Sequence, residues 1–136
     1  MRPFNNTIMV RYANGLSVID INSIVRIQAV SNYSRLFLQD GRHIIVSKVL
    51  RQMEYILSGK EFTRIHRSHL VNSARIHSYN ALQLKVILDN GDEIKVSRRK
   101  LREIRRKYAN TPEQENHPMQ QLLGKVLQKQ KVLAQS

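Results

Sequence analysis

The chain has 136 residues, 41% of them hydrophobic, no cysteine, and 23 lysines and arginines against 10 acids, for a net charge of +13 and a pI near 10.6. That length suits one ordinary domain with a real core, and the missing cysteines exclude disulfides and thiolate chemistry. No apolar run approaches the ~18 residues of a membrane span, and the first residues lack a signal-peptide core, so a cytoplasmic location is the default expectation.

Read in order, the first half is a series of short β-rich runs separated by turn residues. Thr7 to Tyr12 is followed by Ala13-Asn14-Gly15, a hairpin signal, and Leu16 to Ile21 is the return strand. Asn22-Ser23 breaks that run before Ile24 to Val30. Ser31-Asn32-Tyr33-Ser34 then interrupts before Arg35 to Leu38, and Asp40-Gly41 turns the chain into His43 to Val46. Five short strands at this spacing predict an antiparallel, hairpin-built fold.

From Ser47 the period changes. Val49, Leu50, Met53, Ile56 and Leu57 form one helical stripe, with Ser47 as the expected N-cap and Ser58-Gly59 as the stop. Its apolar side is expected to cover the sheet, and Lys48, in its first turn, could meet a phosphate. Beyond the central stretch, Ala74 to Tyr79 and Leu82 to Leu88 read as strands. Asp89-Asn90-Gly91-Asp92 turns into Glu93 to Val96, and Ser97 is expected to cap a last helix on Leu101, Ile104 and Tyr108. Residues 111–118 are a linker by composition. Met119 to Ser136 carries a modest helical stripe and is either a helix on the domain, a dimerisation element or a disordered end. The expected division is a domain over residues 1–110 and a linker with tail over 111–136.

The charge is uneven. Residues 97–108 hold seven bases (Arg98, Arg99, Lys100, Arg102, Arg105, Arg106, Lys107) and one acid, Glu103. Such a cluster in so basic a chain points to a polyanionic partner. Three polar turns, each after a strand, combine small polar groups with Arg or Lys: Asn32, Tyr33, Ser34 and Arg35; His66, Arg67, Ser68 and His69; Ser97, Arg98, Arg99 and Lys100.

The central stretch is Phe62-Thr63-Arg64-Ile65-His66-Arg67-Ser68-His69-Leu70-Val71-Asn72. Phe62, Arg64 and His66 face one way from a short strand, and Thr63 and Ile65 the other. Arg67, Ser68 and His69 then put three hydrogen-bonding side chains between apolar runs, which places them outside a core. Arg and His donors suit phosphate oxygens and base edges. Leu70-Val71 is expected to anchor this turn, and Asn72 to close it with a side-chain bond to the backbone.

This run resembles the signature of the LytTR DNA-binding family, approximately Phe-x-Arg-x-His-(Arg/Lys)-Ser-(Tyr/Phe/His)-(Leu/Ile)-Val-Asn. The Asp89 to Gly91 turn, a strand, and Val96-Ser97-Arg98-Arg99-Lys100-Leu101 follow at the family's distance, so the likeness runs from about Asn5 to Tyr108. It implies a mainly β, elongated antiparallel fold of small sheets with one or two short helices, here with a helical or disordered C-terminal tail. It also implies a non-enzymatic transcription regulator whose loops enter successive major grooves of double-stranded promoter DNA. Family members commonly bind paired direct repeats as two subunits. By carry-over, Ser34, Arg67 and Arg99 would reach bases, while Ser68, Arg98 and Lys100 would hold phosphates. Only Met1 to Asn6 precedes the first strand, leaving no room for a receiver domain, so the expectation is a stand-alone regulator or a fragment.

Other chemistry finds little support. The five glycines are dispersed at turns, so no phosphate-binding glycine loop can be built. His66 and His69 suggest no third metal ligand, and Ser68 beside them lacks an orienting acid, so neither a metal, a cofactor nor an enzyme is expected. The rival reading is a basic module for RNA or an anionic surface without base readout. RNA modules usually expose aromatics for stacking, and only Tyr33 lies in a candidate turn.

Overall fold

The computed structural model describes residues 6–12 and 14–109, which fall into two compact units divided after Ser73. The linker and tail expected over residues 111–136 lie outside the described residues.

In the first unit, β1 (Thr7–Tyr12) and β2 (Gly15–Asp20) form a two-stranded sheet, with Tyr12 opposite Gly15. A single 3-10 turn, Ile21–Ser23, follows. Asp20 caps it by accepting the Asn22 N–H at 2.9 Å. β3 (Ile24–Val30), β4 (Tyr33–Leu38), β5 (His43–Val46), β6 (Phe62–His66) and β7 (His69–Asn72) make a five-stranded sheet in the order β5-β4-β3-β7-β6. Every pairing is antiparallel, as short runs joined by tight turns require. Gly41, at φ +91°, closes the β4–β5 turn, where Asp40 accepts the Arg42 backbone N–H at 3.0 Å.

The helix α1 (Leu50–Ile56) has only seven residues, too few to persist alone. Packing holds it: Leu50 and Met53, with Leu57 just past its end, are buried with Ile27, Leu36, Val46 and Leu70 of the sheet and Ile8, Val10 and Ile19 of the hairpin. Burying each such side chain contributes roughly 1.5–3 kcal/mol. Gly59, at φ +82°, ends the helical path where Ser58-Gly59 was expected to stop it. The start differs. The N-cap position is Val49, whose N–H is accepted by the Gln52 side chain at 3.0 Å, so Ser47 is not the cap.

In the second unit, β8 (Ile76–Asn80), β9 (Lys85–Leu88) and β10 (Glu93–Lys95) form an antiparallel sheet, and α2 spans Arg98–Ala109. The buried hydrophobic residues of this unit are Ile76, Val86, Leu88, Ile94, Val96, Leu101 and Ile104. The expected helical stripe is met at Leu101 and Ile104, whereas the Tyr108 side chain lies outside the described residues. The strand expected from Leu82 begins only at Lys85. Asn80 Oδ1 accepts the N–H groups of Leu82 and Gln83, and Leu84 takes a left-handed φ of 54°, so residues 81–84 turn. A second 3-10 turn, Ser73–Arg75, likewise delays β8 past Ala74. The architecture is mainly β, in antiparallel sheets with two short helices, as the sequence predicts.

Candidate nucleic-acid interface

In the first unit, strand register decides which candidate residues meet. Val30 pairs with Tyr33, so Ser31 and Asn32 alone turn β3 into β4, with Ser31 at a left-handed φ of 53°. His66 pairs with His69, so Arg67 and Ser68 alone turn β6 into β7. β7 lies beside β3 with His69 opposite Gln28, and the Ala29 N–H donates to the Ser68 carbonyl at 2.9 Å. Both turns therefore sit at one end of the five-stranded sheet. Val46 of β5 pairs with Ser34, and the Ser34 hydroxyl donates to the Lys48 carbonyl at 2.7 Å, which brings Lys48 to the same end.

Asn32, Tyr33, His66 and Arg67 are exposed there, and Arg35, Lys48, Ser68 and His69 are half-buried. Ser34 departs from the expectation. β4 starts at Tyr33, two residues earlier than the polar run suggests, and this turns Ser34 inward to 0% exposure. Its hydroxyl is spent on Lys48, so it supports the turn from beneath and offers no surface for a base.

The β6–β7 turn is built by a residue to which sequence reasoning assigned no role. The Arg64 guanidinium donates to the His66 carbonyl at 2.9 Å and the Arg67 carbonyl at 2.5 Å, while its third nitrogen meets the Glu54 carboxylate of α1 at 2.8 Å. A planar fork can hold two successive carbonyls and an acid at once, which a lysine could not. The available signals were its place two residues before His66 and its match to the arginine of the family signature. His66 Nδ1 accepts the Ser68 N–H at 3.0 Å, and the two histidine rings lie 5.4 Å apart. Burial, then the positive charges of Arg26 and His66, push the His69 pKa down from 6.5 to about 4, so His69 is neutral near pH 7. Its buried Nδ1 and the buried Arg35 Nε have no hydrogen-bond partner among the described residues. Asn72 does not close the turn. It is buried at the end of β7 and donates to the Ile24 carbonyl at 3.0 Å, tying β7 to β3.

In the second unit, Ser97 caps α2 as expected: its hydroxyl accepts the Lys100 N–H at 3.0 Å and its carbonyl the Leu101 N–H at 3.0 Å. Arg98 and Arg99 stand exposed at the first turn. Lys100 is half-buried and bonded to Glu103 at 3.1 Å, while Arg99 reaches the same carboxylate only at 4.0 Å with 82% of its side chain exposed.

Acids of the described residues lie away from these turns or, like Glu54, Glu93 and Glu103, are paired with a base. The first unit has four. By the strand order, Asp20, Asp40 and Glu61 lie at the opposite end of the sheet, and Glu54 is held by Arg64. In the second unit, Asp89 and Asp92 occupy the β9–β10 turn, at the far end of β10 from Ser97. Among the described residues no group of three His, Cys, Asp or Glu is placed to hold a metal, and no helix is long and apolar enough to cross a membrane.

Basic and amide-bearing turns on small antiparallel sheets, with the nearby acids Glu54 and Glu103 paired to bases, are the features of a nucleic-acid-binding module. The chain belongs to the LytTr DNA-binding domain family, whose model matches residues 14–109. LytTR domains are the DNA-binding, non-catalytic domains of transcription regulators. A solved structure with a similar fold is the LytTr DNA-binding domain of a Bacillus cereus protein described as a methyl-accepting/DNA response regulator. It is 20% identical, with a TM-score of 0.63, over 79% of this chain and 100% of that one. No curated protein matches the chain at a significant level.

Proposed function

We propose that this protein regulates transcription by reading promoter DNA by sequence, inserting its turns into successive major grooves at paired direct repeats as two subunits. The distribution of charge supports the reading: among the described residues, Asp20, Asp40, Glu61, Asp89 and Asp92 lie at the end of their sheet away from the candidate turn, and Glu54 and Glu103 are paired with bases. Within it, Arg67 and Arg99 reach base edges, because both are exposed and a guanidinium can bond guanine O6 and N7 together. Asn32 offers an amide of the kind that pairs with adenine. Tyr33, Arg35, Lys48, Ser68, Ser97, Arg98 and Lys100 hold phosphates or support the turns, fixing register without reading sequence. His66 and His69 shape the central turn, His69 as a neutral imidazole. The test is selection of bound sequences from random duplex DNA. A sharp motif occurring twice at fixed spacing is expected, and a flat result would leave a basic module without base readout.

A further inference from the structure

We propose that the second unit carries a docking site for an acidic peptide segment with apolar residues, supplied by a partner protein. The site is a recess of about 350 Å³ between α2 and the turn after β8, lined by Ala81, Leu84, Leu101, Arg98, Arg102 and Arg105. Its floor is apolar and its rim is cationic. The three arginines recur at i, i+4 and i+7, which puts them on one side of α2. All three are exposed, and no acid of the described residues pairs with any of them. The helix's one acid, Glu103, is engaged on its other side by Lys100 and Arg99. Arg105 lies over the Tyr79 ring, 5.5 Å from its centroid, so its guanidinium is held at the rim rather than dispersed into solvent.

Two features decide the class of ligand. Arg98 and Arg105 are seven residues apart, roughly 10 Å along the helix, so one small anion cannot serve all three guanidinium groups. Acids spaced along a chain can. The apolar floor then separates a peptide from a phosphate backbone, which has nothing to fill such a recess. Leu82, 96% exposed at the tip of the same turn, extends the apolar surface beyond the recess. The Leu84 conformation supports this, since its left-handed φ of 54° turns the chain tightly and keeps residues 81–84 beside α2.

The site shares Arg98 with the proposed phosphate contacts but uses neither base-reading arginine, so its variants are placed at Leu82 and Leu84. Its test uses the full chain and a labelled peptide alternating glutamate with leucine, in about 0.3 M salt, where general attraction beyond roughly 6 Å is screened. Fluorescence anisotropy should give binding about tenfold or more tighter than for a peptide of equal charge with serine at every leucine position. Leu84→Asn, which suits the left-handed backbone, and Leu82→Ser, at a position too exposed to affect folding, should each weaken the leucine peptide severalfold and leave duplex DNA binding unchanged. Equal binding of the two peptides would reduce the site to net charge and overturn the proposal. Loss of duplex binding in step with peptide binding in Leu82→Ser would assign the recess to the DNA surface, and overturn it equally.

Discussion

Arg99 and Lys107 are both arginine-or-lysine positions on α2, yet they should fail differently when removed. Arg99 stands exposed in the first turn, directly after the Ser97 cap, whereas Lys107 lies two turns further along. Arg99→Ala should flatten the preference for the selected site over random duplex by about tenfold or more, since a bidentate contact carries roughly 1–3 kcal/mol of discrimination. Lys107→Ala should weaken both duplexes about equally. Titrations of the two duplexes check this, and an equal loss for Arg99→Ala would make that residue a phosphate clamp. Arg99→Lys keeps the charge but loses the fork, so it should behave like the alanine variant in specificity. His69 gives a stability test of another kind. The folded protein keeps it neutral down to about pH 4, while the unfolded chain protonates it near 6.5. Its contribution is therefore intact above about 6.5 and is lost as pH falls through 4. Urea midpoints at pH 7 and pH 4 should fall further for the native protein than for His69→Phe, which cannot take up the proton.

At the scale of elements, the β6–β7 turn depends on a strand and a helix as well as on its own two residues. Arg64 closes it from β6, and Glu54 of α1 orients Arg64. Exposed ion pairs are worth only about 0–1 kcal/mol, whereas hydrogen bonds from a charged donor are worth about 1.5–3 kcal/mol. The carbonyl contacts therefore outweigh the pair to Glu54. Arg64→Ala should reduce affinity for the selected site by about tenfold, and Glu54→Gln by less than about threefold. Retention of the helix and strand circular dichroism in both variants would assign the loss to the turn. Equal losses in the two would shift the weight to the ion pair. Ser34 works in the same way beneath Lys48, by holding a backbone carbonyl rather than by touching a ligand.

For the whole molecule, the relevant quantity is how much of the +13 charge faces the partner. If each subunit neutralises about six phosphates, log K should fall against log salt with a slope of about −5. A slope shallower than about −2 would place most of the charge away from the DNA. Among the described residues, the placing of Asp20, Asp40, Glu61, Asp89 and Asp92 at the far ends of the sheets argues for the steeper value, because acids near the turns would offset the bases there.

Much of this was legible in the chain itself. Short β-rich runs and turn pairs such as Asp40-Gly41 determined that the fold would be antiparallel and hairpin-built, because strand propensity and turn chemistry are local properties. The same holds for the Ser97 cap, whose hydroxyl acts three residues away. The motif from Phe62 to Asn72 carried the family. Tertiary structure alone decided which residues share a surface. That two turns, 34 residues apart, stand side by side depends on β7 choosing β3 as its neighbour, with His69 opposite Gln28. No local pattern specifies such a pairing, since it is settled by burial of Leu70 against Ile27 and the rest of the core. The burial of Ser34, the reach of Asn72 to Ile24 and the fork of Arg64 onto two carbonyls and Glu54 follow from that packing. Sequence determined which groups could bond. Only the pairing of distant strands determined which of them stand exposed at the turns.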